Sequence, residues 1–481
     1  MLLILCPYCP YIHTLLPFGL GLTHNCRACT TENNDSELGD AVMIQKSVQG
    51  VSERLKLHEN NDENNDENNA ADQFSPSIYT APRMLRDLST SSFSPREVSI
   101  GPLHREGENV QAFEWQKETY VIKLMSRIGS GSSQEAILNL CMQKVYVSMA
   151  KIKACYGYIQ MMTRDQDNIK FAERMVMDAC FILEFTLPIE SIDESYRGNM
   201  LPDQTIIYDL VLLENQIPSF ILNEIFQCTV LKFRQDAGSL IDFIRPLLNL
   251  LNIFKDNIKT EKISISNTDH ILSLLHQCYK PQGPIRSTFL TSTMPSALDL
   301  DNAGVHLKPS QNPTWLMEME VKLPRFPCFS WCWGKPTLRM PVLYVHDFTE
   351  LVLRNLIAYE HRSSQTHNYI TSYAYAMDML VNTQHDVAKL VDSRVLVNSM
   401  GSDEEATKMI NNICKEVAQV HFFYGENFEK LNKYCRGYWP ERMAWLKTTY
   451  FSSPWSLIAL GVGTILFALT VVQTIYAIKS T

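Results

Sequence analysis

Residues Trp455–Ile478, WSLIALGVGTILFALTVVQTIYAI, form a run of 24 residues without a charge or a proline, and only Lys479-Ser480-Thr481 follow it. The hydrocarbon core of a bilayer takes about 20 apolar residues in a helix, so this run can cross it with some tilt. A buried helix in a soluble core is the other way to hide such a run, but it is usually shorter or carries a polar stripe. The run is therefore read as a single-pass membrane anchor with the lipid bilayer as partner. Everything before it becomes one tethered body.

Basic residues set the expected orientation. Lys433, Arg436, Arg442 and Lys447 precede the run and only Lys479 follows it. The positive-inside tendency then places the large body in the cytosol. The net charge of −9 is less informative than it looks, because residues 32–72 hold eleven acids against three bases and supply −8 of it. The remainder is close to neutral. No basic stripe is left to track phosphates, so nucleic acid is not an expected partner.

The amino terminus is ambiguous. MLLILCPYCPYIHTLLPFGLGL is apolar, but it lacks a positive n-region and is broken by Pro7, Pro10 and Pro17, which argues against a signal peptide. A signal or signal anchor there would put the body on the other side of the membrane. Cys6-x2-Cys9 and Cys26-x2-Cys29 have the spacing of two zinc knuckles, and tetrahedral zinc takes four such thiolates. The apolar stretch between the pairs weighs against zinc and for an unstructured or mis-started terminus. The chain has thirteen cysteines, and Cys141, Cys155, Cys180, Cys228, Cys278 and Cys414 lie in apolar runs. A reduced thiol there acts as a small hydrophobe, which favours a reducing compartment.

Four regions are expected: a Cys-containing extension over 1–29, a linker over 30–96, a helical domain over 97–450 and the anchor over 455–478. The linker holds the repeat NNDENNDENNA and the Ser/Pro-rich SPSIYTAPRMLRDLSTSSFSP, too polar or too broken to bury a core and read as disordered. Apolar spacing predicts helices over 113–128, 135–159, 168–185, 206–226 (two, meeting at Pro218), 240–254 and 268–278. A flexible loop is expected at 281–298, then short β-like runs at 304–307 and 338–345. Helices resume over 371–381, 386–390 and 403–423, with Asp347 as an expected N-cap and Glu350 three residues on. The fold class is mainly α, a large helical domain with a small β element plus one C-terminal transmembrane helix.

Chemistry-bearing motifs are sparse. Ser148 and Lys151 have S-x-x-K spacing but lie within a helical run without companion motifs. No phosphate-cradling Gly-Lys-Ser/Thr follows the Gly129–Ser132 stretch. His104 has the chemistry of an acid/base residue, though a structural histidine is the plainer reading. Asp178 falls on a polar stripe with Lys170 and Arg174. Glu214-Asn215-Gln216 is unusually polar for its apolar setting and reads as a hydrogen-bonded helix-end network.

Several ordered blocks carry a resemblance: Val98–His104 (VSIGPLH), Met175–Glu184 (MVMDACFILE), Asp209–Pro218 (DLVLLENQIP), Arg354–Ala358 (RNLIA) and Gly401–Glu405 (GSDEE), with Ser296-Ala297, Ala303-Gly304-Val305, Tyr450-Phe451, Pro454-Trp455, Gln473-Thr474 and Tyr476. Together they resemble the plant family called DUF247 or UPF0481 over roughly residues 97–480. Ala179 stands where that family usually has glycine, and the Cys pairs and Asn-rich repeat fall outside its pattern. The resemblance implies a plant single-pass membrane protein of undefined activity. Some grass members are associated with self-incompatibility recognition, and no catalytic residue or cofactor is carried over. The expected function is a membrane-anchored interaction or recognition module with a protein partner. The alternative is an enzyme with a site near His104, Asp178 and Glu214.

Overall fold

The structure is a computed structural model that describes residues 76–129, 132–158, 168–190, 203–261, 263–281, 283, 294–311, 313, 315–324, 335–363, 367–417, 421–438, 440–442, 444–445 and 454–479. All of them belong to one compact unit, Gln73–Thr481. Cys6, Cys9, Cys26, Cys29 and most of the expected linker and 281–298 loop lie outside the described residues.

The unit is mainly helical, as expected. Helix α1 (Arg83–Leu88) is followed by α2 (Glu108–Ile128), α3 (Ser132–Val147), α4 (Met149–Ala154) and α5 (Asn168–Glu190). The α2–α5 seam is aromatic: Phe113 and Tyr120 meet Phe181 edge-on, with ring centroids 5.6 and 4.9 Å apart, a geometry that suits the ring quadrupoles. Arg127 clamps Glu184 with two bonds of 2.8 Å across the same seam. The expected 135–159 helix divides at Ser148 into α3 and α4. Further along run α6 (Gln204–Asp209), α7 (Ser219–Cys228), α8 (Val230–Phe233), α9 (Leu240–Leu250), α10 (Ile271–Cys278) and α11 (Ala297–Asn302).

The stretch expected as two helices meeting at Pro218 is helical only at its ends. Between α6 and α7, the side chain of Gln216 donates to the carbonyls of Leu210 and Leu212, both at 2.8 Å. A side chain thus takes acceptors that a continuing helix would have used.

The β element is small and split. Strands β1 (His306–Pro309), β2 (Glu320–Lys322) and β3 (Thr337–Met340) form a sheet in the order β1-β3-β2, with β3 central. His306 faces Thr337 in the parallel pair, and Glu320 faces Arg339 in the antiparallel one. Strand β4 (Leu343–Val345) pairs instead with β5 (Leu396–Asn398), in parallel. The expected 338–345 run breaks between β3 and β4 at Pro341, which has no N–H for a ladder.

Helix α12 (Thr349–Arg362) is buried at every residue from Thr349 through Glu360 except Glu350. Its start corrects an expectation: Asp347 is not the cap. Thr349 Oγ1 accepts from His346 N at 2.9 Å and donates to Tyr344 O at 3.1 Å, while Glu350 pairs with Arg354. Helices α13 (Tyr369–Leu380), α14 (Gln384–Asp392), α15 (Asp403–Ile413) and α16 (Gly425–Cys435) complete the body. Ser402 caps α15 by accepting from Glu405 N at 3.1 Å, and three acids in its first turn suit the helix dipole. Helix α17 (Pro454–Lys479) covers the apolar run, and Gly461–Lys479 within it is long and apolar enough to cross a bilayer.

The body begins earlier than residue 97. Ile78, Leu85 and Phe93 are buried in the core, and α1 lies within the expected linker. Between Phe93 and Arg105 the chain forms a strap without helix or strand. At Gly101 its φ is +76°, and a Cβ there would stand 2.5 Å from the carbonyl oxygen of Gln216. Both conditions demand glycine. Replacing Gly101 with alanine should lower stability by about 1–3 kcal/mol. A chemical-denaturation midpoint unchanged from wild type would contradict this.

Candidate functional site

Of the polar residues singled out in the sequence, Asp178 and Asn215 bind the backbone of the strap, and Glu214 meets His104 on it. Asp209, at the end of α6, accepts from three consecutive backbone amides: Arg96 at 2.9 Å, Glu97 at 2.7 Å and Val98 at 2.9 Å. Burial pushes the Asp209 carboxyl up from its ordinary value, and those amides pull it back only in part. Asn215 grips both edges of the strap: its Oδ1 accepts from Ile100 N at 2.6 Å and its Nδ2 donates to Val98 O at 3.0 Å. Asn355 of α12 donates to Ser92 O at 2.6 Å and accepts from Leu213 N at 2.8 Å. These bonds satisfy backbone groups that lack secondary-structure partners.

Asp178 is fully buried on α5, so the stripe shared with Lys170 and Arg174 enters the core at its last member. It accepts from Gly101 N at 2.9 Å and from Lys117 Nζ at 2.9 Å, and it also binds Arg105. Lys117 binds the carbonyl of Ser99 and, at 2.5 Å, Glu114 Oε1; Arg105 reaches Glu114 Oε2 at 2.7 Å. Two cations thus meet two carboxylates, and the strap's carbonyl and amide complete the set. Breaking one limb of such a buried array leaves a charge uncompensated.

Glu214 is almost wholly buried. It accepts from Ala81 N at 2.7 Å, binds Arg86, and its Oε2 lies 3.0 Å from His104 Nε2. His104 and Glu214 therefore touch, as the enzyme alternative requires. Asp178 belongs to the adjoining Arg105–Lys117 network and not to that pair. The described cavities lie elsewhere. One of about 690 Å³ is lined by Lys259, Gln277, Lys280 and Trp315; one of about 270 Å³ by Asp269, His276 and Tyr359; and one of about 450 Å³ by Arg436, Glu441 and Trp445. None of these three is lined by His104, Asp178 or Glu214.

A second network holds the segment before α1. His270 is buried, with Nε2 3.1 Å from the carbonyl oxygen of Ser77 and Nδ1 accepting from Ser273 N at 3.3 Å. That pattern fits the neutral ring protonated on Nε2, and burial lowers its pKa to about 4. His276 Nε2 lies 2.8 Å from Glu360 Oε1, and Glu360 accepts from Ile370 N and Thr371 N, both at 2.8 Å. Ring edges of His270 and His276 meet Tyr359 at 5.3 and 5.4 Å.

Sequence reasoning missed Lys117, Arg105, Asp209 and Asn355 as partners. Lys117 did leave a signal, since it occupies the apolar period of Val110, Phe113 and Leu124 on α2. Ser148 lies at the α3–α4 break. Cys141, Cys155, Cys180, Cys228, Cys278 and Cys414 are buried free thiols. Among the described residues no group of three His, Cys, Asp or Glu is placed to hold a metal ion.

The model of the family DUF247, described as a plant protein of unknown function, matches residues 78–469. UPF0481 protein At3g47200 of Arabidopsis thaliana is 24% identical over 431 residues, covering 85% of this chain and 88% of the relative. Putative UPF0481 protein At3g02645 of the same plant is 22% identical over 497 residues, covering 84% and 90%. No solved structure matches the chain.

Two outcomes test these networks. Asp178→Ala should cost about 3–5 kcal/mol, because it strands buried Lys117 and Arg105; a loss under about 1 kcal/mol in denaturant unfolding would contradict the pairing. For His270, an ordinary value of 6.5 in the unfolded chain against about 4 in the fold means the unfolded chain binds the extra proton in between. Stability should therefore fall as pH drops from about 6.5 to about 4, by on the order of 3 kcal/mol. His270→Gln should flatten that part of the stability profile, and an unchanged slope would count against it.

Proposed function

The chain belongs to the DUF247 family of plant proteins, and from that premise we propose a membrane-anchored helical interaction module, a recognition or signalling component that offers its body to a protein partner. The observation that carries this reading is helix α17, whose described side chains are exposed along a run with no charge before Lys479. Such a surface in water is a liability, and a bilayer removes it.

The body's own chemistry points the same way. Asp178, Asp209, Glu214, Asn215 and Asn355 bind the strap and the segment before it, so the polar residues most suited to reaction act as braces. The enzyme alternative needs His104, Asp178 and Glu214 around one open cavity. Only His104 and Glu214 touch, so the geometry favours the interaction module. With the bases before the anchor outnumbering the one after it, we read the body as cytosolic.

On isolated plant membranes, the full chain should resist carbonate extraction, and a chain ending at Ser453 should not. With tags at both ends, protease added from the cytosolic side should digest the body. Extraction of the full chain would overturn the anchor, and a protected body would reverse the orientation.

A further inference from the structure

The 450 Å³ cleft lies between α11, α16 and the residues leading toward the anchor, and among its lining residues are Met294, Asp299, Asn302, Arg436, Glu441 and Trp445. One guanidinium and two carboxylates share a small open site with an indole. A lone anion would meet the two carboxylates, and a lone cation the arginine. A ligand carrying both charges meets both, provided that its cation can donate hydrogen bonds to a carboxylate.

The surroundings indicate where such a ligand comes from. Nine residue steps separate Trp445 from Pro454, where α17 starts, so even a fully extended chain keeps them within about 30 Å. Residues 430–447 hold five bases (Lys430, Lys433, Arg436, Arg442 and Lys447) against Glu441 alone. Such a juxtamembrane excess is drawn to an acidic leaflet. Tyr438 is 66% and Trp445 54% exposed, and the Arg442 guanidinium sits 5.4 Å from the centre of the Tyr438 ring. Amphipathic rings of this kind favour the head-group level of a membrane.

We propose that this cleft binds the head group of an acidic aminophospholipid of the phosphatidylserine type, an inference that rests on the anchor reading above. Arg436 takes the phosphate, Glu441 and Asp299 take the primary ammonium, Trp445 lies against the glycerol region, and the serine carboxylate stays outside the cleft, toward the surrounding juxtamembrane bases. The ammonium distinguishes this lipid from phosphatidylglycerol, which is acidic without an amine. Choline's methylated nitrogen cannot donate to Glu441.

The test uses the full chain reconstituted in vesicles of phosphatidylcholine alone, or mixed with phosphatidylglycerol or phosphatidylserine at equal surface charge. Flotation comes first, then native mass spectrometry of the lipid retained on the released protein. Phosphatidylserine should be retained about tenfold over phosphatidylglycerol, the value of one charge-assisted hydrogen bond. Glu441→Gln should abolish that preference while keeping acidic lipid ahead of phosphatidylcholine. Arg436→Gln should weaken retention of both acidic lipids, and thermal melting should show both variants folded as wild type. Equal retention of the two acidic lipids, or a preference untouched by Glu441→Gln, overturns the cleft. Failure of the full chain to float overturns the anchor reading and the cleft with it, and flotation separates the two failures.

Discussion

The body depends on a chain segment that has no secondary structure of its own. From Phe93 to Arg105 the strap crosses the core, and its amides at Arg96, Glu97, Val98, Ile100 and Gly101 bond to side chains of Asp209, Asn215 and Asp178. A buried amide without a partner costs on the order of 1–3 kcal/mol. The three that are buried, Val98, Ile100 and Gly101, together amount to much of the net stability of an ordinary domain. The carboxylates and amides that look like chemistry in the sequence are what allow an irregular segment inside the fold.

This arrangement couples distant parts of the chain. Asp178 comes from α5 and Asp209 from α6, and both reach the strap, while Asn355 from α12 holds Ser92 just before it. Glu214 and Arg362 extend the bracing to Ala81 and Thr80 before α1. Each contact joins residues far apart in sequence, so the strap can order only once those helices are assembled.

Much of this was legible in the sequence, for identifiable reasons. Helix α17 followed from its unbroken apolar run, and α2, α5 and the start of α15 from apolar period, since periodicity reports which face is buried. The polar character of Glu214-Asn215-Gln216 was readable as a hydrogen-bonded network, but Ala81 and Ile100, the partners of Glu214 and Asn215, were not, because they lie more than a hundred residues upstream. The Pro341 break and the non-helical Leu210–Pro218 turn escaped because local apolar runs continue through them. The core's early start at Ile78 was hidden within a Ser/Pro-rich stretch whose backbone is held by tertiary contacts, such as the 2.9 Å bond from Ile78 N to Cys155 O.

Amide hydrogen exchange reads the bracing of the strap residue by residue. Val98, Ile100 and Gly101 should exchange as slowly as the interior of α5, since their acceptors are buried side chains of the assembled core. Exchange of these three at loop-like rates, with α5 still protected, would contradict that bracing.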